Sequence, residues 1–378
     1  MDSDRSRVRL ACGVIVLGFV LAIAGYGSGC GQKQDGAFRA ALSMDRSLRP
    51  PIELVRVSDE LLIALAAEGD EWTPVLYRSE TGGRTWQRWL EAPVPLSAPD
   101  EVDLAQAGTH MALAVRARDT VWAGALALDA DRWHTTEFTS DQPIESMALA
   151  CVAPDTASAP ELHLLYISEV PGDTLRILWQ RRSPDAGATW TGPKRITDGA
   201  IGGITTETRP DGSRSVDLCY QRDHLLHWRG LSGNDQTEEF RLRLKVAPGS
   251  RNRLARLERN VLACGESDRH QALAAFSDNA GRNWFRAIAL ARDADHWRQP
   301  DIDAGYGLYW VAHWAGDSLL VARAASSPKS AREWSPGIWA HHGELLGQPY
   351  IVAMPDSSAG ILHAAPEGRV YFTRVWKP

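Results

Sequence analysis

Cysteine is scarce in this chain, with five among 378 residues. Cys12 and Cys30 fall within the first thirty residues, and Cys151, Cys219 and Cys264 stand singly in apolar, strand-like surroundings. No CxxC spacing occurs and the eleven histidines include no HExxH, so neither a metal site nor a cofactor is expected. His341, His342 and Glu344 are close in sequence, but adjacent strand residues face opposite ways, which favours a loop pair over a ligand set. Three cysteines allow one disulfide with an odd thiol; three buried free thiols are the alternative. No G-x-S-x-G and no phosphate loop occur, which removes two familiar catalytic frames. An excess of one charge is also missing. Lys and Arg number 41 against 47 Asp and Glu, giving a net charge of −6, and the signs are mixed along the chain. No nucleic-acid surface is implied.

Long apolar runs are confined to the start. Arg5, Arg7 and Arg9 precede the apolar or small stretch from Leu10 to Ala24, and Gly-Ser-Gly leads into Cys30. Residues 1–30 read as a targeting segment and residues 31–37 as a polar linker. The segment resembles a bacterial lipoprotein signal with Cys30 as the lipidated residue, although Gly27 replaces the usual leucine. An uncleaved anchor over 10–29 is the alternative, being just long enough to span a bilayer core. Either one places residues 38–378 outside the cytoplasm, tethered to a membrane. By analogy, Gly31 after the cysteine would direct a Gram-negative lipoprotein to the outer membrane.

What remains is rich in Trp (15), Pro (21) and Gly (32), with short alternating apolar segments between turn clusters and no amphipathic helical pattern. This composition predicts an all-β fold. One octet recurs: Ser79 to Trp86, Ser183 to Trp190 and Ser277 to Trp284. Its frame is Ser-x-(Asp/Asn/Thr)-x-Gly-x-(Thr/Asn)-Trp, with Gly at 83, 187 and 281 and with Asp185 and Asn279 at the third position. A short polar side chain there turns back onto backbone N–H groups, Gly supplies φ > 0, and Trp opens the next strand with a large ring to bury. The octet is therefore expected to be a structural clip, and Asp185 part of it rather than a catalytic carboxylate.

These octets resemble the Asp-box, or BNR repeat, of sialidase-like β-propellers. The resemblance implies four-stranded antiparallel blades. Gaps of 104 and 94 residues between box tryptophans exceed the roughly 40–50 residues of one blade, so each should hide a degenerate copy. Candidates are Leu126 to Trp133, Gln221 to Trp228 and Ser327 to Trp334. Three clear and three degenerate octets mark six blades, and the strands left after Trp334 make a seventh, with six in all as the alternative. The last blade has only three strands, after Tyr350, Gly360 and Arg369, so the segment around Phe38 to Ser43 is expected to close the ring.

The same family implies a site to look for. Leu48-Arg49-Pro50-Pro51 is similar to the X-Arg-X-Pro motif, which would make Arg49 one of three arginines on a sugar carboxylate. Asp70 is the candidate acid/base and Tyr350 the candidate nucleophile, since the usual Tyr position falls on Gln348. The alternatives are a solvated turn for Asp70 and inter-blade packing for Tyr350. Two readings result. One is a membrane-anchored propeller that binds or assembles a protein or glycan ligand without catalysis. The other is a sialidase-like glycoside hydrolase.

Overall fold

The computed structural model describes residues 37–44, 46–69, 73–94, 99–130, 132–153, 159–170, 175–208, 215–232, 235–248, 250–290, 297–315, 319–343 and 346–377. Cys30 with the leader, Asp70 and Glu344 lie outside these residues. The described residues form 28 strands and no helix, arranged as seven four-stranded antiparallel blades. The first six blades occupy 48–91, 101–139, 144–198, 205–245, 253–289 and 297–342. The seventh combines Leu346–Met354, Ser358–Ala365 and Arg369–Trp376 with Ala37–Ala41, which pairs antiparallel to Arg369–Trp376. The expected N-terminal closure of a seven-bladed ring is thus what the chain does.

Strand alternation explains why the blades stack. In the inner strand Glu101–Ala107, Val102 and Leu104 turn to the first blade, whereas Ala105 and Ala107 pack with the third. Repeating this pattern yields seven apolar clusters, one at each blade interface. The seam between first and seventh blades is as apolar as the rest, with Leu54, Tyr77, Tyr350 and Phe372 all buried. Burial of this kind stabilises by roughly 25 cal/mol per Å² of apolar surface, so closing the ring removes an interface that would otherwise stay wet.

Each octet joins the third and fourth strands of its blade. Ser183 Oγ accepts from Gly187 N at 2.7 Å, and Asp185 Oδ1 accepts from Ser183 Oγ and Thr189 N, both at 2.8 Å. Trp190 Nε1 then donates to Gly187 O at 3.1 Å. In the third octet Gly281 N donates to Ser277 Oγ at 3.0 Å, and in the first Gly83 N donates to Ser79 Oγ at 2.9 Å. The glycines have φ of +86°, +90° and +83°. They also press on the preceding blade: a Cβ on Gly83 would lie 2.0 Å from the Phe372 ring, and one on Gly281 would lie 2.7 Å from Trp228.

That contact corrects one expectation. Residues 221–228 are not a degenerate octet, because Asp223 and His224 form the turn between second and third strands of the fourth blade. Trp228 lies on the third strand and receives the octet glycine of the next blade. Leu126 to Trp133 and Ser327 to Trp334 do fall at third-to-fourth connections. The blade count survives because it also rested on strand number. Arg49 and Pro50 belong to the first inner strand, Leu48–Arg56. Cys151, Cys219 and Cys264 are buried free thiols, so no disulfide joins them.

Candidate functional site at the channel mouth

In an antiparallel blade the octet turns and the starts of the inner strands lie at opposite ends. The octets therefore ring one face, and the links between blades ring the other. A cavity of about 610 Å³ opens on the linking face, walled by residues 201–204, 248 and 250–251 and by the starts of several inner strands. Below it a narrower space of about 240 Å³ continues down the channel. Tyr350 lines both spaces and marks their boundary.

Around Tyr350 three blades contribute charge. Its hydroxyl accepts a hydrogen bond from Arg251 Nη1, and the guanidiniums of Arg251 and Arg253 lie 4.9 and 5.1 Å from its ring centroid. Glu53 bridges the two arginines, Oε2 to Arg251 Nη2 at 3.2 Å and Oε1 to Arg253 Nη2 at 3.1 Å. Arg253 Nε reaches Asp301 at 2.9 Å. Burial pushes the Glu53 carboxyl up to about 7, against the pull of Arg253 and Arg251. Burial also raises the Tyr350 hydroxyl, so it rests as a neutral phenol.

Two further ion pairs line the mouth. Arg116 Nε meets Glu101 at 3.2 Å while its Nη1 donates to Ile144 O at 2.6 Å. Arg176 Nε meets Glu145 at 2.6 Å. Burial raises the Glu101 and Glu145 carboxyls.

Several channel carboxylates have a structural task. Glu101 and Asp103 accept the backbone N–H groups of Met147 and Leu149, at 2.9 and 2.7 Å. Asp301 and Asp303 do the same for Ile351 and Ala353, at 2.7 and 2.6 Å. An acid-x-acid pair on one inner strand thus stitches the next inner strand. Glu207 has no such partner among the described residues. Burial, then Asp303 and Asp217, raise its carboxyl well above the usual range.

The three sequence candidates separate. Tyr350 reaches the site and joins two arginines there. Arg49 lines neither space, and Asp70 lies outside the described residues. The box position Asp185 is at the opposite face, its carboxyl lowered first by the Thr189 hydroxyl. Arg251, Arg253 and Glu53 were not anticipated. A signal existed: Glu101-Val-Asp103 and Asp301-Ile-Asp303 share one spacing at equivalent inner-strand positions, and Arg251-Asn-Arg253 opens another inner strand.

No family model matches the sequence, and no curated protein resembles it in sequence. Solved structures do resemble the fold. The lectin of Aleuria aurantia, a six-bladed β-propeller with a fucose recognition mode, superposes with a TM-score of 0.52 at 13% identity, covering 80% of this chain and 98% of that one. SapL1 lectin in complex with α-methyl fucoside gives 0.50 at 11% identity, with 79% and 98% covered. Trypanosoma rangeli sialidase in complex with the inhibitor DANA gives 0.46 at 11% identity, with 91% and 58% covered. The likeness is one of fold alone: this chain shares the β-propeller architecture of the Aleuria aurantia lectin.

Proposed function

We propose that the chain is a membrane-tethered, extracytoplasmic propeller that binds a glycan at the channel mouth and acts as a scaffold there. The observation that carries this reading is the mouth itself. It is a cavity of about 610 Å³, ringed by paired guanidinium and carboxylate groups with Tyr350 at its floor. Such a surface is dense in fixed donors and acceptors, and its volume suits a ligand larger than one small ion. Lipid on Cys30 would hold the propeller at a membrane surface. Two experiments test the parts separately. Full-length chain in detergent should be retained on immobilised glycans, and Arg251→Ala should lose that retention; equal retention by the variant sinks the site. Metabolic labelling with palmitate should disappear in Cys30→Ser, and persistent label would remove the tether.

A second reading, sialidase-like hydrolysis, is favoured by one observation: a tyrosine, a glutamate and two arginines converge at one mouth. Against it, the Tyr350 hydroxyl is raised and Glu53 is held by both arginines, so Glu53 is not free to activate a nucleophilic phenol. Turnover of a fluorogenic sialoside that vanishes in Tyr350→Phe would establish this reading over the first.

A further inference from the structure

Among the described residues, carboxyl and guanidinium groups are equal in number at the mouth and unequal below it. Asp100, Glu101 and Glu145 face Arg116, Arg176 and Arg251 around the cavity, three carboxylates to three guanidiniums. Beneath Tyr350 the channel carries five carboxyl groups against two guanidiniums. A ligand with a net negative charge would find each guanidinium among the described mouth residues already in an ion pair, and below it a space with more carboxyl than guanidinium groups. Displacing Glu145 or Glu101 to free an arginine would leave a carboxylate unpaired in a partly buried site, which is unfavourable. A net cation would face the same difficulty with the arginines.

A guanidinium beside a carboxylate offers donors next to acceptors. Neighbouring hydroxyls on a sugar ring match that surface, one accepting from the Arg and the other donating to the Glu or Asp. Glu101 with Arg116 and Glu145 with Arg176 provide this surface on adjacent blades. Arg251 with Glu53 provides a third, at the floor.

We infer that the mouth selects an uncharged oligosaccharide, read through neighbouring hydroxyl pairs by guanidinium–carboxylate pairs, and discriminates against sialylated, sulfated or phosphorylated glycans. This rests on the reading of the mouth as the glycan site. The test uses full-length chain in a non-ionic detergent on an array of neutral oligosaccharides printed beside their sialylated and sulfated counterparts. The neutral members should be retained, with affinity changing less than about twofold between about 0.05 and 0.3 M salt. Glu145→Gln removes the closer carboxylate of Arg176, leaving only Glu169 at 3.7 Å, and makes the mouth net positive. It should shift the acidic-to-neutral binding ratio upward by about tenfold, the scale of one exposed charge partner lost at a partly desolvated site. Arg176→Gln, which leaves the mouth net negative, should give no such gain. If wild-type chain prefers the acidic members, or loses more than about tenfold of its neutral-glycan affinity over that salt range, the inference fails. The mouth would still stand as the site if Arg251→Ala abolished that binding. If wild-type chain retains neither class, both readings fall together.

Discussion

The octet face and the channel mouth solve the same problem, pairing polar groups in a folded β-protein, by opposite means. At the octets the side-chain bonds that make the clip are local: Ser183 meets Gly187 and Asp185 meets Thr189, each four residues on. At the mouth the partners are distant. Arg251 and Glu53 are separated by 198 residues and Arg251 and Tyr350 by 99. A local clip can be damaged without disturbing its neighbours. A charge network assembled from several blades exists only when the ring is closed, so it should respond as a unit.

The largest effect should come from breaking that network. Arg253 is 15% exposed and holds two carboxylates that are each 5% exposed, Glu53 and Asp301. Replacing it with Met leaves both without their central partner and should cost about 3–5 kcal/mol near pH 8. Chemical denaturation measures this. A loss below about 1 kcal/mol would mean that the carboxylates neutralise freely and that the mouth is no more interdependent than the rim.

Next is a contrast between glycines. Gly83→Ala must accommodate both positive φ and overlap with the Phe372 ring, for about 3 kcal/mol. Gly307 has φ of +76° with open space around it, so Gly307→Ala should cost only about 1 kcal/mol. If the two losses are equal in a denaturant titration, the octet glycine serves backbone conformation alone and does not lock one blade to the next.

These contrasts show what could be read from sequence. The octet was legible because its contacts span four residues and fix their own residue types. Seven blades followed because the strand runs held even where the octet reading at 221–228 failed. Trp228 was misread because a tryptophan that receives a clip looks, without its partner Gly281, like one that ends a clip. Arg49 stands out in the sequence because it sits in a short motif, whereas Arg251 acquires meaning only from Glu53 and Tyr350 across the ring. Burial of Tyr350 in the seam was foreseen as packing. Its position between two spaces depends on the bulge between Leu346 and Tyr350, which sequence alternation does not reveal.

The closing seam also carries a pH signature. His363 is buried on the second strand of the seventh blade, its ring 4.7 Å from His341 of the sixth and 5.8 Å from Tyr371. Its Nε2 contacts Thr373 Oγ1 at 3.2 Å, and Thr373 is the register partner of Arg39 on the N-terminal strand. Arg39 stacks over Tyr371 at 3.5 Å, and Tyr371 donates to Glu367. Burial, then His341 and Arg39, hold the imidazole well below its usual value. A base depressed in the folded state contributes full stability above about pH 6.5 and loses it as pH falls, because the unfolded chain takes the proton first. Protection factors of residues 37–41, with exchange corrected for its intrinsic pH dependence, should therefore fall on acidification. His363→Gln should flatten this dependence without abolishing it, since buried His313, depressed to about 3, titrates in the same direction. An unchanged pH slope in the variant would remove the seam from the account.

The smallest effect should be at the residue that first looks most chemical. Asp185 is a carboxylate, but its equivalents are Asn279 and Thr81. Asn279 Oδ1 accepts from Asn283 N at 2.8 Å, and Thr81 Oγ1 accepts from Thr85 N at 2.9 Å. Three side chains, one charged and two neutral, thus provide one acceptor at one place, so the negative charge of Asp185 is dispensable. Asp185→Asn keeps the acceptor and should change stability by no more than about 0.5 kcal/mol at pH 7. Asp185→Ala removes it, exposes the Thr189 N–H and should cost about 1 kcal/mol, as loss of a capping side chain does at a helix end. The carboxyl is lowered by its hydrogen bonds, so the small difference between Asp and Asn should vanish as pH falls through the acid range. Glycan retention should be the same in both variants and wild type. A loss of retention in Asp185→Asn would place function on the octet face and reverse the comparison.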